Sequence, residues 1–365
     1  MTTIASLLER TTGPLDDLRR AGLDLALRSR AFSRVVIKRD RRFAVLAPLH
    51  AAAAFTLAVW IPVLPFVLGP IVLGVPHVLA DLRYLVVRRD LDRWWRNTVF
   101  VACGSLIGVA AAQEARVLRP AAAAQLESTI VVLWAALGVT AGTMRSRSWQ
   151  RGLLGLAAVA ALAVVAFHWP QAWRLAFLHG HNLVALGVWA ALFRPRGRRL
   201  FVAWPALLAI GGASLLASGL LYRVALESRA VTLFGLHVLQ AADGLVPASW
   251  PADVAIGVTS AYVFLQSIHY AIWLYFIPQD DRRGQGTPTF RMSVRSLRAD
   301  VGAGGILLAS LAGAAVLVGA SLQILRARAL YLSLALFHGY LELVLVGYLW
   351  TRASRSDAGR PGRRA

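Results

Sequence analysis

The chain has 365 residues, 58% of them hydrophobic, with a mean hydropathy of +0.59 and a formal net charge of +21. Apolar runs of about twenty residues recur along it, the length a helix needs to cross the hydrocarbon core of a bilayer, so the class is integral membrane protein. The arginines fall between those runs, which argues against nucleic acid as a partner. The single cysteine, Cys103, excludes an intrachain disulfide, a cysteine-ligated zinc site and an iron–sulfur cluster.

In chain order, residues 1–42 precede the first apolar run. From Leu15 to Leu27 the leucines are spaced for one helical face, and Lys38, Arg39, Arg41 and Arg42 come after them. A signal peptide would carry its apolar region far earlier, so this segment reads as a basic helix on the cytoplasmic leaflet, with a disordered basic arm as the alternative. Ten spans succeed it, at 43–61, 66–87, 97–113, 122–143, 152–168, 175–193, 200–221, 254–277, 301–323 and 329–350. The expected fold is therefore an all-α, polytopic transmembrane bundle over 43–350, with a basic cytoplasmic tail at 351–365. With the amino terminus in the cytoplasm, the inner segments collect most of the arginines. The outer ones hold only Arg116, Arg119, Arg174, Arg223, Arg229, Arg326 and Arg328. That asymmetry obeys the positive-inside rule and puts both termini in the cytoplasm. The arginine-for-lysine bias and abundant alanine suggest a bacterial inner membrane. Two loops are long: 222–253 outside, with an apolar piece from Val231 to Leu239 expected to rest on the membrane or cover a cavity, and 278–300 inside.

The stretch from Gly74 to Tyr84 sits inside the second span, yet it carries His77, Asp81 and Arg83. Ionisable groups at that depth cost several kcal/mol unless partnered, which makes them functional candidates. His77 and Asp81 are four apart and share a helix face, and His338 and Glu342 repeat the spacing in the last span. Pro76 removes a backbone donor just before His77. At about 1.5 Å of rise per residue, His50 and His269 lie roughly 10–12 Å from the cytoplasmic end of their helices, His77 near 16 Å, and His179, His181 and His338 near 20 Å. Five helices thus bring imidazoles into one slab of the bilayer. Neutral imidazole suits iron, copper and zinc, and the carboxylates at i+4 would complete the shell or orient the rings. Two other readings share these residues: a proton relay in a transporter without metal, and structural hydrogen bonding, to which His50 on its alanine-rich face is as well suited. His179 and His181 point about 200° apart on a helix, so only one of them faces the bundle. His168, at the outer interface, and His237, in the outer loop, read as peripheral.

Gly-Val-Pro-His-Val-Leu-Ala-Asp at 74–81 resembles the Gly-x-Pro-His-Gly-x-x-Asp element of the Brp/Blh-type β-carotene 15,15′-dioxygenases, with Val78 in place of the glycine. Ser-Ile-His-Tyr at 267–270 is similar to a second histidine segment of that family, and Phe177-Leu-His-Gly-His to a paired-histidine element. The resemblance covers about thirty residues in short pieces. It implies a non-haem iron (Fe2+) oxygenase of a lipophilic, carotenoid-like substrate. His77, His338, His269 and one of His179 and His181 would be ligands, Asp81 and Glu342 would orient them or accept protons, and Tyr270 and Tyr340 would position substrate or oxygen. The expected partners are the lipid bilayer and that small molecule. A haem protein with two of these histidines as axial ligands is the alternative cofactor reading. The spaced histidine boxes of membrane desaturases are absent from the sequence.

Overall fold

The computed structural model describes residues 3–192, 199–228, 232–281 and 289–353, and they are almost wholly helical. In chain order the helices begin with α1 (Thr3–Leu27), α2 (Arg30–Ile37), α3 (Arg39–Trp60), α4 (Val63–Leu68) and α5 (Gly74–Asp81). Next come α6 (Arg93–Glu114), α7 (Pro120–Ser146), α8 (Trp149–His168), α9 (Pro170–Leu192), α10 (Arg199–Ala217) and α11 (Tyr222–Glu227). The last are α12 (Val238–Ala242), α13 (Ala252–Ala271), α14 (Ile277–Asp280), α15 (Phe290–Ala335) and α16 (Phe337–Arg352). Three π-helical turns, Gly69–Leu73, Leu82–Val87 and Ile272–Phe276, extend the carboxyl ends of α4, α5 and α13 in that order. Prolines set several starts: Pro120 and Pro170 each open a helix, where the missing N–H has no partner to lose. Helix α15 is interrupted at Gly302, whose φ of 73° favours glycine, and again at Gln323.

Among the described residues, seven stretches are long and apolar enough to cross a membrane: Arg41–Trp60, Val63–Val87, Arg93–Glu114, Pro120–Ser146, Trp149–His168, Ala252–Gln279 and Phe290–Arg352. The last includes both α15 and α16, and α10 adds a shorter apolar piece, Trp204–Ala217. The amino-terminal segment is helical, as its leucine spacing requires. Asp16 on α1 accepts the backbone N–H of Phe290 at 2.6 Å and of Arg291 at 3.3 Å, which ties α1 to the start of α15. Arg229, Val231 and the tail beyond Ala353 lie outside the described residues.

The chain divides into two compact units, one of residues 1–89 and 185–328, the other of 90–184 and 329–365. In the first unit α13 is the central helix, buried along nearly its whole length and flanked by α3 and α10. Edge-to-face ring pairs hold it there, Phe55 on Phe264 at 5.9 Å and Phe66 on Tyr262 at 6.5 Å. At the polar end of this unit Asp300 accepts from Arg83 at 2.6 Å and from Arg88 at 2.8 Å, and Ser296 accepts from both arginines. Arg83 thus finds its charge partner within the scaffold. The loop after α11 forms a short antiparallel hairpin, β1 (Thr232–Leu233) with β2 (Leu236–His237), turned by Phe234 and Gly235, both with positive φ.

In the second unit α7 is central and contacts α16, α8 and α6. Lipid offers apolar helices no net gain from association, so such interfaces rely on close van der Waals packing over small residues. Here Gly138 lies under the Trp95 indole and Gly142 lies against the backbone of α16 at Tyr348. Trp95 also stacks on Tyr348, with centroids 4.9 Å apart.

Candidate metal centre

In the first unit, α5 carries His77 and Asp81 on one face, both buried. A π turn lies on each side of α5, and a third begins three residues after His269 on α13. Each π turn spends an extra residue without an α-type bond and rotates the next stretch of helix, a device common at functional sites. Gly69, Pro70, Gly74 and Pro76 supply the loosened hydrogen bonding around the first turn. The result brings two imidazoles together: the His77 and His269 rings are 5.3 Å apart at 76°, and one ligand nitrogen of each lies within 4.8 Å of the other. Tyr270 closes the group, its ring 4.8 Å from that of His77 and 6.0 Å from that of His269. Both histidines are almost fully buried, at 2% and 1% exposure.

The second unit holds another histidine pair. His338 and His181 meet edge to face with centroids 5.6 Å apart. The His338 Nδ1–H donates to the Ala335 carbonyl, and the His181 Nδ1–H donates to the Leu178 carbonyl at 2.9 Å. A backbone acceptor at Nδ1 sets the tautomer and leaves the Nε2 lone pair as the ligand atom, as in metal-binding histidines. The helices approach because residue 339 is glycine: a Cβ there would lie 2.7 Å from the Phe177 ring. Phe177 stacks on His181 at 5.8 Å and on Tyr340 at 4.1 Å. Tyr340 donates to Glu127 at 2.6 Å, and Arg174 donates to the other oxygen of Glu127 at 3.1 Å. Glu342 is fully buried one helical turn after His338.

In the first unit His77 and His269, and in the second unit His338, are buried imidazoles, each with a ring nitrogen of the kind that binds metal. An all-imidazole set without thiolate fits iron, copper or zinc. The remaining histidines are placed differently. His50 bonds the Ser267 carbonyl through Nε2 at 3.1 Å, which ties α3 to α13 two residues before His269. His181 meets His338. His168 ends α8, exposed, with Nδ1 on its own helix at the Val164 carbonyl. His237 caps α12, where Nδ1 accepts the Leu239 N–H and Gln240 returns a bond to the His237 backbone. Sequence reasoning passed over Glu127 and counted Arg174 among outer loop charges. The available signal was a lone glutamate near the start of an apolar run with an arginine at the start of another.

In comparisons with known proteins, no family model, no curated protein and no solved structure matches this chain.

Proposed function

We propose that this protein is a membrane metalloenzyme that binds iron(II) at the buried His77–His269 pair, and that it oxygenates a lipophilic, carotenoid-like substrate. The observation that carries the reading is the His77–His269 pair, two imidazoles withdrawn from solvent with their ligand nitrogens close together. Two neutral imidazoles this close can serve one ion together, and imidazole nitrogen is the commonest metal ligand. Iron, when bound, supplies redox chemistry toward O2 that no side chain has. The protein's own contribution is orientation and dryness. The Ala335 carbonyl holds the His338 ring in the tautomer that frees Nε2. Asp81 and Glu342, one turn beyond their histidines, orient the rings or take up protons. Tyr270, beside both rings of the first pair, positions the substrate. The carotenoid-like substrate rests on the motif resemblance alone.

Metal analysis with absorption spectroscopy on the detergent-purified protein tests this. Stoichiometric iron without a Soret band is expected. A Soret band would make haem the cofactor, and absence of any metal would leave proton transfer among these groups as the better account. The same reading has ten spans with both termini in the cytoplasm of a bacterial inner membrane, so reporter fusions at Arg147 and Ala241 should report opposite sides.

A further inference from the structure

The second unit contains a cavity of about 220 Å³ that the metal reading does not use. Its walls are mostly apolar, with Leu106 and Val109 from α6, Phe177 from α9, and Phe337 from α16. Its polar groups include Glu127, Arg174 and Tyr340. Glu127 and Tyr340 are buried, at 8% and 1% exposure. The carboxylate is held from two sides, by the Tyr340 hydroxyl at 2.6 Å and the Arg174 guanidinium at 3.1 Å. Charge-assisted bonds of this kind fix geometry as well as adding energy. The Glu127 side chain is mostly buried while Arg174 is 40% exposed, and a buried carboxylate at the end of an apolar helix is a candidate binding group.

We propose that this cavity binds the end of a neutral lipid that bears a hydroxyl group, such as a long-chain alcohol. The charges decide the class. Glu127 and Arg174 neutralise each other, so the cavity presents no net charge to attract an ionic headgroup. A second carboxylate would be repelled by Glu127, which disfavours a fatty acid. A hydroxyl is both donor and acceptor: it can donate to a free lone pair of Glu127 and accept from a remaining N–H of Arg174. The volume decides how much enters. At roughly 30 Å³ per water-sized group, the space takes about seven such groups, one end of a chain and not the whole lipid. Phe177 and Phe337 wall the cavity, and they neighbour the His181–His338 pair by stacking and by sequence. The site is nonetheless independent of any metal, since none of its polar groups is among the three imidazoles.

The test uses the full-length protein in lipid nanodiscs and a long-chain alcohol with a photoreactive diazirine near its hydroxyl end, with labelled peptides mapped by mass spectrometry. Labelling is expected in the α6 segment from Leu106 to Gln113 or around Phe177 and Phe337. Unlabelled hexadecanol should block it at least tenfold more effectively than hexadecanoate. Ala110→Phe, which fills the cavity, should abolish labelling. Glu127→Gln should weaken it about tenfold, as expected when a hydrogen bond to a charged group is lost. Should Ala110→Phe fail to fold by size exclusion, Glu127→Gln decides. Labelling confined to other segments, equal competition by alcohol and acid, or undiminished labelling in a folded variant would overturn the proposal. His77→Ala should label as wild type, so this inference and the metal reading can fail separately.

Discussion

Removing one imidazole of the buried pair should have a large, calculable effect. Metal–nitrogen bonds are about 2.0–2.1 Å, so two ligands at tetrahedral or octahedral angles hold their nitrogens about 2.8–3.4 Å apart. The ligand nitrogens of His77 and His269 lie within 4.8 Å. Binding therefore needs a closure of at most roughly 2 Å at a metal–nitrogen distance of that size, within reach of side-chain rotation. At free metal a hundred times the dissociation constant, binding stabilises the fold by about 2.7 kcal/mol. Loss of a group that only orients a ligand weakens binding roughly ten- to hundredfold, so loss of a ligand itself should exceed that. A hundredfold weaker site at the same metal concentration leaves about 0.4 kcal/mol of the stabilisation. His269→Ala and His77→Ala should thus each abolish most of the melting shift between metal-loaded and chelated protein. The double variant should look little worse than either, because the two act as one unit. Elemental analysis alongside thermal unfolding in detergent reads both quantities. Full metal content and an unchanged chelator response in either single variant would refute the reasoning.

Other expectations are simpler. His168→Ala and His237→Ala should leave bound metal unchanged, because those rings bond a local carbonyl and a local helix cap; metal loss in either would move the site. Gly142→Ala should destabilise by about 3 kcal/mol through overpacking. Its Cβ would collide with the Thr351 hydroxyl and come 2.6 Å from the Tyr348 carbonyl. Gly104→Ala, in the interior of α6 with open space around it, should be neutral to stabilising by about 1 kcal/mol in the same melting assay. Asp300→Asn strips the carboxylate that Arg83 and Arg88 share, and should cost about 3 kcal/mol as for a broken, largely buried ion pair. A melting point equal to wild type would show that Ser296, together with Asp281, which also accepts from Arg88, suffices.

Membrane character, helicity and the candidate imidazoles were all legible from residue order, because each depends on local chemistry. A run of about twenty apolar residues is helical in lipid whatever surrounds it, since only a helix satisfies its own backbone there. His77 with Asp81 and His338 with Glu342 stood out for the same reason: a charged or polar group in an apolar run is anomalous before any fold is known. Arg83 was equally anomalous, yet its partner Asp300 is 217 residues away, and no spacing rule reaches that far.

Partner choice was decided by tertiary structure alone. His50 and His269 looked alike by depth, but the first is taken up by the Ser267 carbonyl and the second faces His77. The π turn before α5 rotates the stretch that carries His77 by an amount that α-helical periodicity does not anticipate. Glu127 read as one acid near the edge of a span until Tyr340, 213 residues on, and Arg174 were found bonded to it. Sequence specifies which groups are too polar for their surroundings. Only the packing of distant helices determines which of them satisfy one another, since the energy of burial depends on the neighbour that arrives and not on its place in the chain.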